Sequence, residues 1–169
     1  MSSETKNITN HTISVYVANK PGVLARIAQV FARRGFNIDS LVVSPSVDGR
    51  YSRMTIAAKG MREGLEQVIL QVSKLVDVMH CLDHTGSEAV VREMALVKML
   101  VGSEQRAEVL QISEHFSCKT VDLTTNAMTI MITGHSDKLD ACIKMLRQFE
   151  IIELVRTGKV VMARGDEVT

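Results

Sequence analysis

Tryptophan is absent from the 169-residue chain, and two Tyr and four Phe are its only other aromatic residues. The core must therefore be aliphatic, and 46% hydrophobic residues, ten of them Met, supply enough material for one domain or two small ones. Charge of one sign is also lacking: 20 basic and 19 acidic residues leave a net +1. A nucleic-acid binder shows a basic field or stripe, and none is visible here. Cysteine is scarce; Cys81, Cys118 and Cys142 are odd in number and widely spaced. That pattern argues against a disulfide framework and fits a reducing cytoplasm. No apolar run approaches the ~18 residues of a membrane span. The first ten residues have no apolar signal-peptide segment and read as a disordered leader. GxSxG, the P-loop and GxGxxG are all missing, so the common hydrolase and nucleotide signatures are excluded.

What is present is a pattern of elements that occurs twice. TISVYVA alternates as a strand does, and Val23, Leu24, Ile27, Val30 and Phe31 follow at helical spacing up to Gly35. FNIDSLVVSP and SRMTIAAKG form two strands joined through Asp48-Gly49. Leu65, Val68, Ile69, Val72 and Val76 mark a second helix, and VDVMHCL a fourth strand. The second half repeats this order. MTIAAKG (54–60) lies over MTIMITG (128–134) at a shift of 74, and the same shift places Leu65 on Leu139 and Ile69 on Ile143. Earlier in each half the shift is nearer 82, because the first hairpin is longer. The fold class is α+β: two tandem ferredoxin-like βαββαβ modules, antiparallel sheets with helices on one face. The boundaries read as a leader at 1–10, a first module at 11–85, a linker and strand entry at 86–94, and a second module at 95–169.

Chemistry is sparse. His80, Asp83 and His84 are the one group of metal-like residue types, but strand positions four apart stand ~13 Å from each other, too far to share an ion. A strand end with solvated histidines is the simpler reading. Cys118 and Cys142 fall in element patterns as small core residues. The more informative stretch is Asn19-Lys20-Pro21-Gly22-Val23-Leu24. Helix N-terminal N–H groups carry partial positive charge and can hold a small anion. Gly22 would let a carboxylate approach the backbone, Pro21 fixes the entry to the helix, and Asn19 supplies an amide. A plain strand-to-helix turn without a ligand is the alternative. The second module has Val101-Gly102-Ser103-Glu104 in the corresponding place, with a carboxylate of its own, which favours a ligand in the first module only.

The turn, the following helix and RRGFNIDSL resemble the pattern of an ACT domain. RRGFNIDSLVVSP, SRMTIAAKG, KLVDVMHCLDH, VVREMALVKM, KLDACIKMLRQFEIIELVRTG and ARGDE are similar to the regulatory small subunit of acetolactate synthase, from about residue 11 to 167. Pro21 departs from the Ser that this family often carries there. The resemblance implies a non-catalytic chain with no cofactor or metal of its own. Its partner would be a large catalytic subunit carrying thiamine diphosphate, magnesium and flavin. It would activate that subunit and confer feedback inhibition by a branched-chain amino acid, most often valine. It implies a cytoplasmic homodimer contacting neither membrane nor nucleic acid. It further implies effector contacts from Asn19, Gly22, Val23 and Leu24 of one protomer and Asn37 and Ile38 of the other. A tandem amino-acid sensor acting on a different protein is the alternative expectation.

Overall fold

The computed structural model describes residues 8–169. Two compact units are present, one holding the chain up to Val90 together with 158–169, the other Val91–Thr157. In the first unit the order is β1 (Ile8–Ala18), α1 (Val23–Arg33), β2 (Asn37–Pro45), β3 (Tyr51–Met61), α2 (Arg62–Ser73) and β4 (Val78–Asp83). The sheet is antiparallel in the order β2-β3-β1-β4, which leaves β2 on a rim. Strand periodicity sends Ile13, Val15 and Val17 of β1 and Met54 and Ile56 of β3 to one face. There they meet Val23, Ile27 and Phe31 of α1 and Leu65, Val68 and Val72 of α2, all buried. Residues 8–10, expected in the leader, instead begin β1 and pair with Met61, Gly60 and Lys59; the rest of that leader lies outside the described residues.

The second unit contains β5 (Val90–Leu100, entering from the boundary), α3 (Ser103–His115), β6 (Lys119–Leu123), β7 (Ala127–Gly134), α4 (Ser136–Leu146) and β8 (Glu150–Arg156). Its strand order β6-β7-β5-β8 repeats that of the first unit. The core is again aliphatic, with Val97, Met99, Ile130, Ile132, Leu139 and Leu146 fully buried. A short β9 (Val160–Met162) follows. The sequence boundaries ran the second module from 95 to 169, but 158–169 groups with the first unit. The reason is long-range contact: Val161 lines a cavity with Tyr16 and Val42, and the Thr169 carbonyl lies 3.2 Å from His80 Nε2, 89 positions away.

The ends of α1 and α3 show what the repeat kept and lost. α1 closes with Gly35 N–H donating to Ala32 O (3.1 Å) and Phe36 N–H to Phe31 O (3.0 Å), a Schellman cap with φ +73 at Gly35. Phe36 then packs edge-on against Phe31, ring centroids 6.4 Å apart. At a shift of 82 the same cap recurs, Cys118 N–H donating to Ser113 O at 2.7 Å, but the left-handed residue is Ser117 with φ +52. A left-handed residue with a Cβ costs roughly 1–2 kcal/mol, part of which a glycine returns in unfolded-chain entropy. Ser117→Gly is therefore expected to stabilise the second unit by about 0.5–1 kcal/mol, read as a higher urea midpoint at unchanged slope.

Candidate functional site

β1 delivers the chain to a tight turn before α1. Asn19 N–H donates to Arg50 O (2.9 Å), and its side-chain Nδ2 donates to Gly49 O (3.0 Å), fixing the amide to the tip of the β2–β3 hairpin. The amide oxygen is thereby left as the acceptor end. Gly22 sits at φ +82, ψ −10, a left-handed conformation, and a Cβ built there would meet nothing within 4 Å. The first backbone bond of the helix runs from Arg26 N–H to Gly22 O at 3.2 Å. No side chain caps α1 and no acidic residue occupies its first turn. The N–H groups of Val23, Leu24 and Ala25 consequently have no intrahelical acceptor, and the helix dipole is uncompensated. Beside the turn, Asp77 is paired with both Arg26 and Lys20, the latter at 3.6 Å, so one positive charge is left in excess. Spacing in the sequence did not signal Asp77, which reaches the α1 turn from the residue just before β4.

The side chains implied by the family resemblance are placed unequally. Leu24 is 40% exposed and flanks the turn, whereas Val23 is 2% exposed in the core and presents only its N–H. Asn37 is exposed, its Nδ2 donating to Asp39 Oδ1 at 2.8 Å. Lys59 lies 3.0 Å from Asp39 and holds its carboxyl below the usual range. Ile38 is half-buried against the core. Within one chain the two groups do not meet. Ala18, which leads into the turn, pairs with Tyr51, and Asn37 pairs with Lys59, eight residues further along β3. At ~3.3 Å per residue that is about 26 Å. The turn and Asn37 thus stand at opposite ends of the sheet, with Asn37 beginning the rim strand.

In the second unit α3 begins at Ser103, two residues earlier by the shift of 82 than α1 does, after an extended Gly102, and Glu104 lies in its first turn. Regular helix and a fixed carboxylate occupy the place that Pro21 and Gly22 keep open in the first unit.

The histidine cluster is divided among separate partners. His80 stacks on Tyr16 with ring centroids 5.2 Å apart. His84 Nε2 lies 2.8 Å from Ser14 Oγ, and burial holds this imidazole below its usual range against the opposing charge of Asp83. Asp83 accepts from Thr85 N–H at 2.8 Å. Among the described residues no group of three or more His, Cys, Asp or Glu is placed to hold a metal ion. Burial, reinforced by Asp83, pushes the Cys81 thiol up to about 12. Cys142 is buried and Cys118 half-buried, their sulfurs 3.7 Å apart. Among the described residues no helix is long and apolar enough to cross a membrane.

A probable acetolactate synthase small subunit of Archaeoglobus fulgidus is 44% identical over 157 residues, 93% of this chain and 98% of the relative. The acetolactate synthase small subunit of Mycolicibacterium smegmatis is 39% identical over 92% of this chain and 91% of its own. The chain belongs to the acetolactate synthase small-subunit family. Residues 13–80 match the model described as an AHAS small subunit-like ACT domain, and 92–165 that of the small subunit of acetolactate synthase. The crystal structure of the small subunit from Thermotoga maritima superimposes with a TM-score of 0.84 at 38% identity, covering 94% of this chain and 99% of that one. The first unit is thus a regulatory ACT domain, and membership in a small-subunit family implies a catalytic large subunit as partner. The uncapped turn lies within the segment matched as ACT.

Proposed function

We propose that this chain activates the large, thiamine diphosphate-dependent subunit of a cytoplasmic acetolactate synthase and makes it sensitive to a branched-chain amino acid, with valine the expected effector. The catalytic cofactors, thiamine diphosphate, magnesium and flavin, belong to that partner. The observation that carries the reading is the uncapped N-terminus of α1 behind a left-handed Gly22. Three N–H groups and a net positive surround suit a carboxylate, and the free oxygen of Asn19 suits an ammonium. Leu24 offers apolar surface for a branched side chain. The rest of the pocket comes from Asn37 and Ile38 of a second copy. A rim strand with unpaired backbone groups favours pairing with its two-fold mate, and that operation turns one sheet end over onto the other. Effector binding between two protomers then biases how the ACT pair sits on the catalytic subunit. A coupling of ~1–3 kcal/mol changes affinities 5- to 150-fold.

The test is reconstitution with a large subunit from the same cell and an assay of pyruvate condensation. The chain is expected to raise turnover, and valine to reverse the increase. A purified large subunit whose turnover the chain leaves unchanged would reject this reading in favour of a sensor acting on some other protein.

A further inference from the structure

The sheet face turned away from α1 and α2 carries a cavity of its own. Side-chain alternation puts Tyr16, Arg53, Thr55 and Val42 on this face, because their neighbours Val15, Val17, Met54 and Ile56 point into the core. Residues Val160–Met162, in the same compact unit, form the opposite wall. The space is about 290 Å³, near the lower end of small-molecule sites, which begin at ~300 Å³.

Its lining is mostly apolar with hydroxyl groups, and holds one charged side chain, Arg53. The Arg53 guanidinium lies over the Tyr16 ring, 5.6 Å from its centroid. Tyr16 is held in turn between Tyr51 and His80, each with centroids 5.2 Å away. Arg53 Nε is shut off from solvent with no hydrogen-bond acceptor, and no carboxylate of the described residues pairs with this guanidinium. Three other arginines meet acids, Arg26 with Asp77, Arg50 with Asp48 and Arg156 with Glu93 and Asp140. A guanidinium fixed on an aromatic face and opening into an apolar cavity is arranged for a planar anion. No Asp or Glu lines the space, so nothing charged is provided for an ammonium.

We propose that this cavity is a second ligand site, distinct from the turn before α1, and that it takes a small aliphatic monocarboxylate lacking an amino group, such as a branched 2-oxo or simple acid. The carboxylate pairs with Arg53, and the aliphatic tail lies among Val42, Val161 and Met162. Because one wall is the 158–169 segment, occupancy ties that segment to the ACT sheet.

Methyl-resolved NMR of the full chain, titrated with 3-methylbutanoate, tests this. Saturable shifts are expected at Val42, Thr55 and Val161, with a dissociation constant of about 1 mM or below. The uncharged alcohol 3-methylbutan-1-ol, with the same carbon skeleton, and valine at the same concentration, should leave these methyls in place. Arg53→Gln should abolish the response and Arg53→Lys weaken it at least about tenfold, since Lys lacks the planar fork. Thermal unfolding of each variant establishes that it is folded. Gly22→Asp should leave this binding intact, which separates failure here from failure at the α1 turn. Absence of saturation, equal shifts with valine or the alcohol, or undiminished binding in folded Arg53→Gln would each overturn the proposal.

Discussion

Gly22→Asp is expected to remove inhibition by valine while stimulation of the catalytic subunit persists. The substitution places a permanent carboxylate among the same N–H groups that the effector's carboxylate would use. Two like charges ~4 Å apart repel by about 4 kcal/mol at an effective dielectric constant of ~20, close to three powers of ten in affinity. Space is no obstacle, because a Cβ at this position meets nothing within 4 Å. Backbone strain is a separate matter: φ is +82, and a residue with a Cβ loses roughly 1–2 kcal/mol there. Gly22→Asn carries the same strain without the charge, and Asn tolerates the left-handed region comparatively well. Paired inhibition curves therefore separate the two effects. The Asn variant should keep inhibition, shifted by about tenfold or less, whereas the Asp variant should show none at any attainable valine concentration. Normal valine inhibition in Gly22→Asp would remove the helix terminus from the proposed site.

The second large effect is expected at Gly60. A Cβ there would lie 2.3–2.7 Å from three ring atoms of Phe36, well inside contact distance. The ring has little room to yield. Phe31 meets it edge-on, His11 lies 5.8 Å away centroid to centroid, and a Cβ on Gly64 would already be 3.0 Å from it. Overpacking of this kind costs about 1–3 kcal/mol. At roughly 4–8 °C per kcal/mol for a small domain, Gly60→Ala should lower the melting temperature of the ACT unit by about 5–20 °C. Phe36→Leu made on the same background should restore part of the loss, a coupling that a double-mutant cycle measures directly. Phe36 immediately precedes Asn37 and Ile38, so its displacement also moves the start of β2. Valine affinity in Gly60→Ala should fall even at temperatures where the variant is folded. Unchanged stability would mean that the ring is far less confined than its neighbours indicate.

The parts of this molecule that local chemistry dictates could be read in the sequence. Adding 82 to the bounds of β1 gives 90 and 100, the bounds of β5, and adding 74 to the start of α2 gives 136, the start of α4. Alternation and helical spacing are short-range signals, and the two halves carry them in register. The Pro21-Gly22 turn was legible for the same reason, since Pro fixes its own φ and Gly alone enters the left-handed region freely. Contacts made by distant segments were not. Asp77 reaches Arg26 across 51 positions with no periodicity to announce it. IIELVRTGKVVMARG reads as one terminal stretch of strand, so a sequence reading assigns 158–169 to the second module, yet they group with the first. Arg53 looks like any polar residue in an alternating strand until the opposite wall of its cavity is in place. Val23 is the reverse case: helical spacing put it in the apolar stripe, and its side chain does belong there, leaving only its backbone for the turn.

One asymmetry between the repeats bears on how many chains gather. The rim strand of the first unit, β2, runs for nine residues, whereas its counterpart β6 has five, and both carry the same register shift, between Ile38 and Ser40 and between Thr120 and Asp122. A polypeptide with two equally long adhesive borders would be bivalent, and bivalent monomers joined by non-closing contacts grow into open fibres. In the homodimer proposed through β2, the shorter β6 would offer fewer backbone groups for a pairing of the same kind.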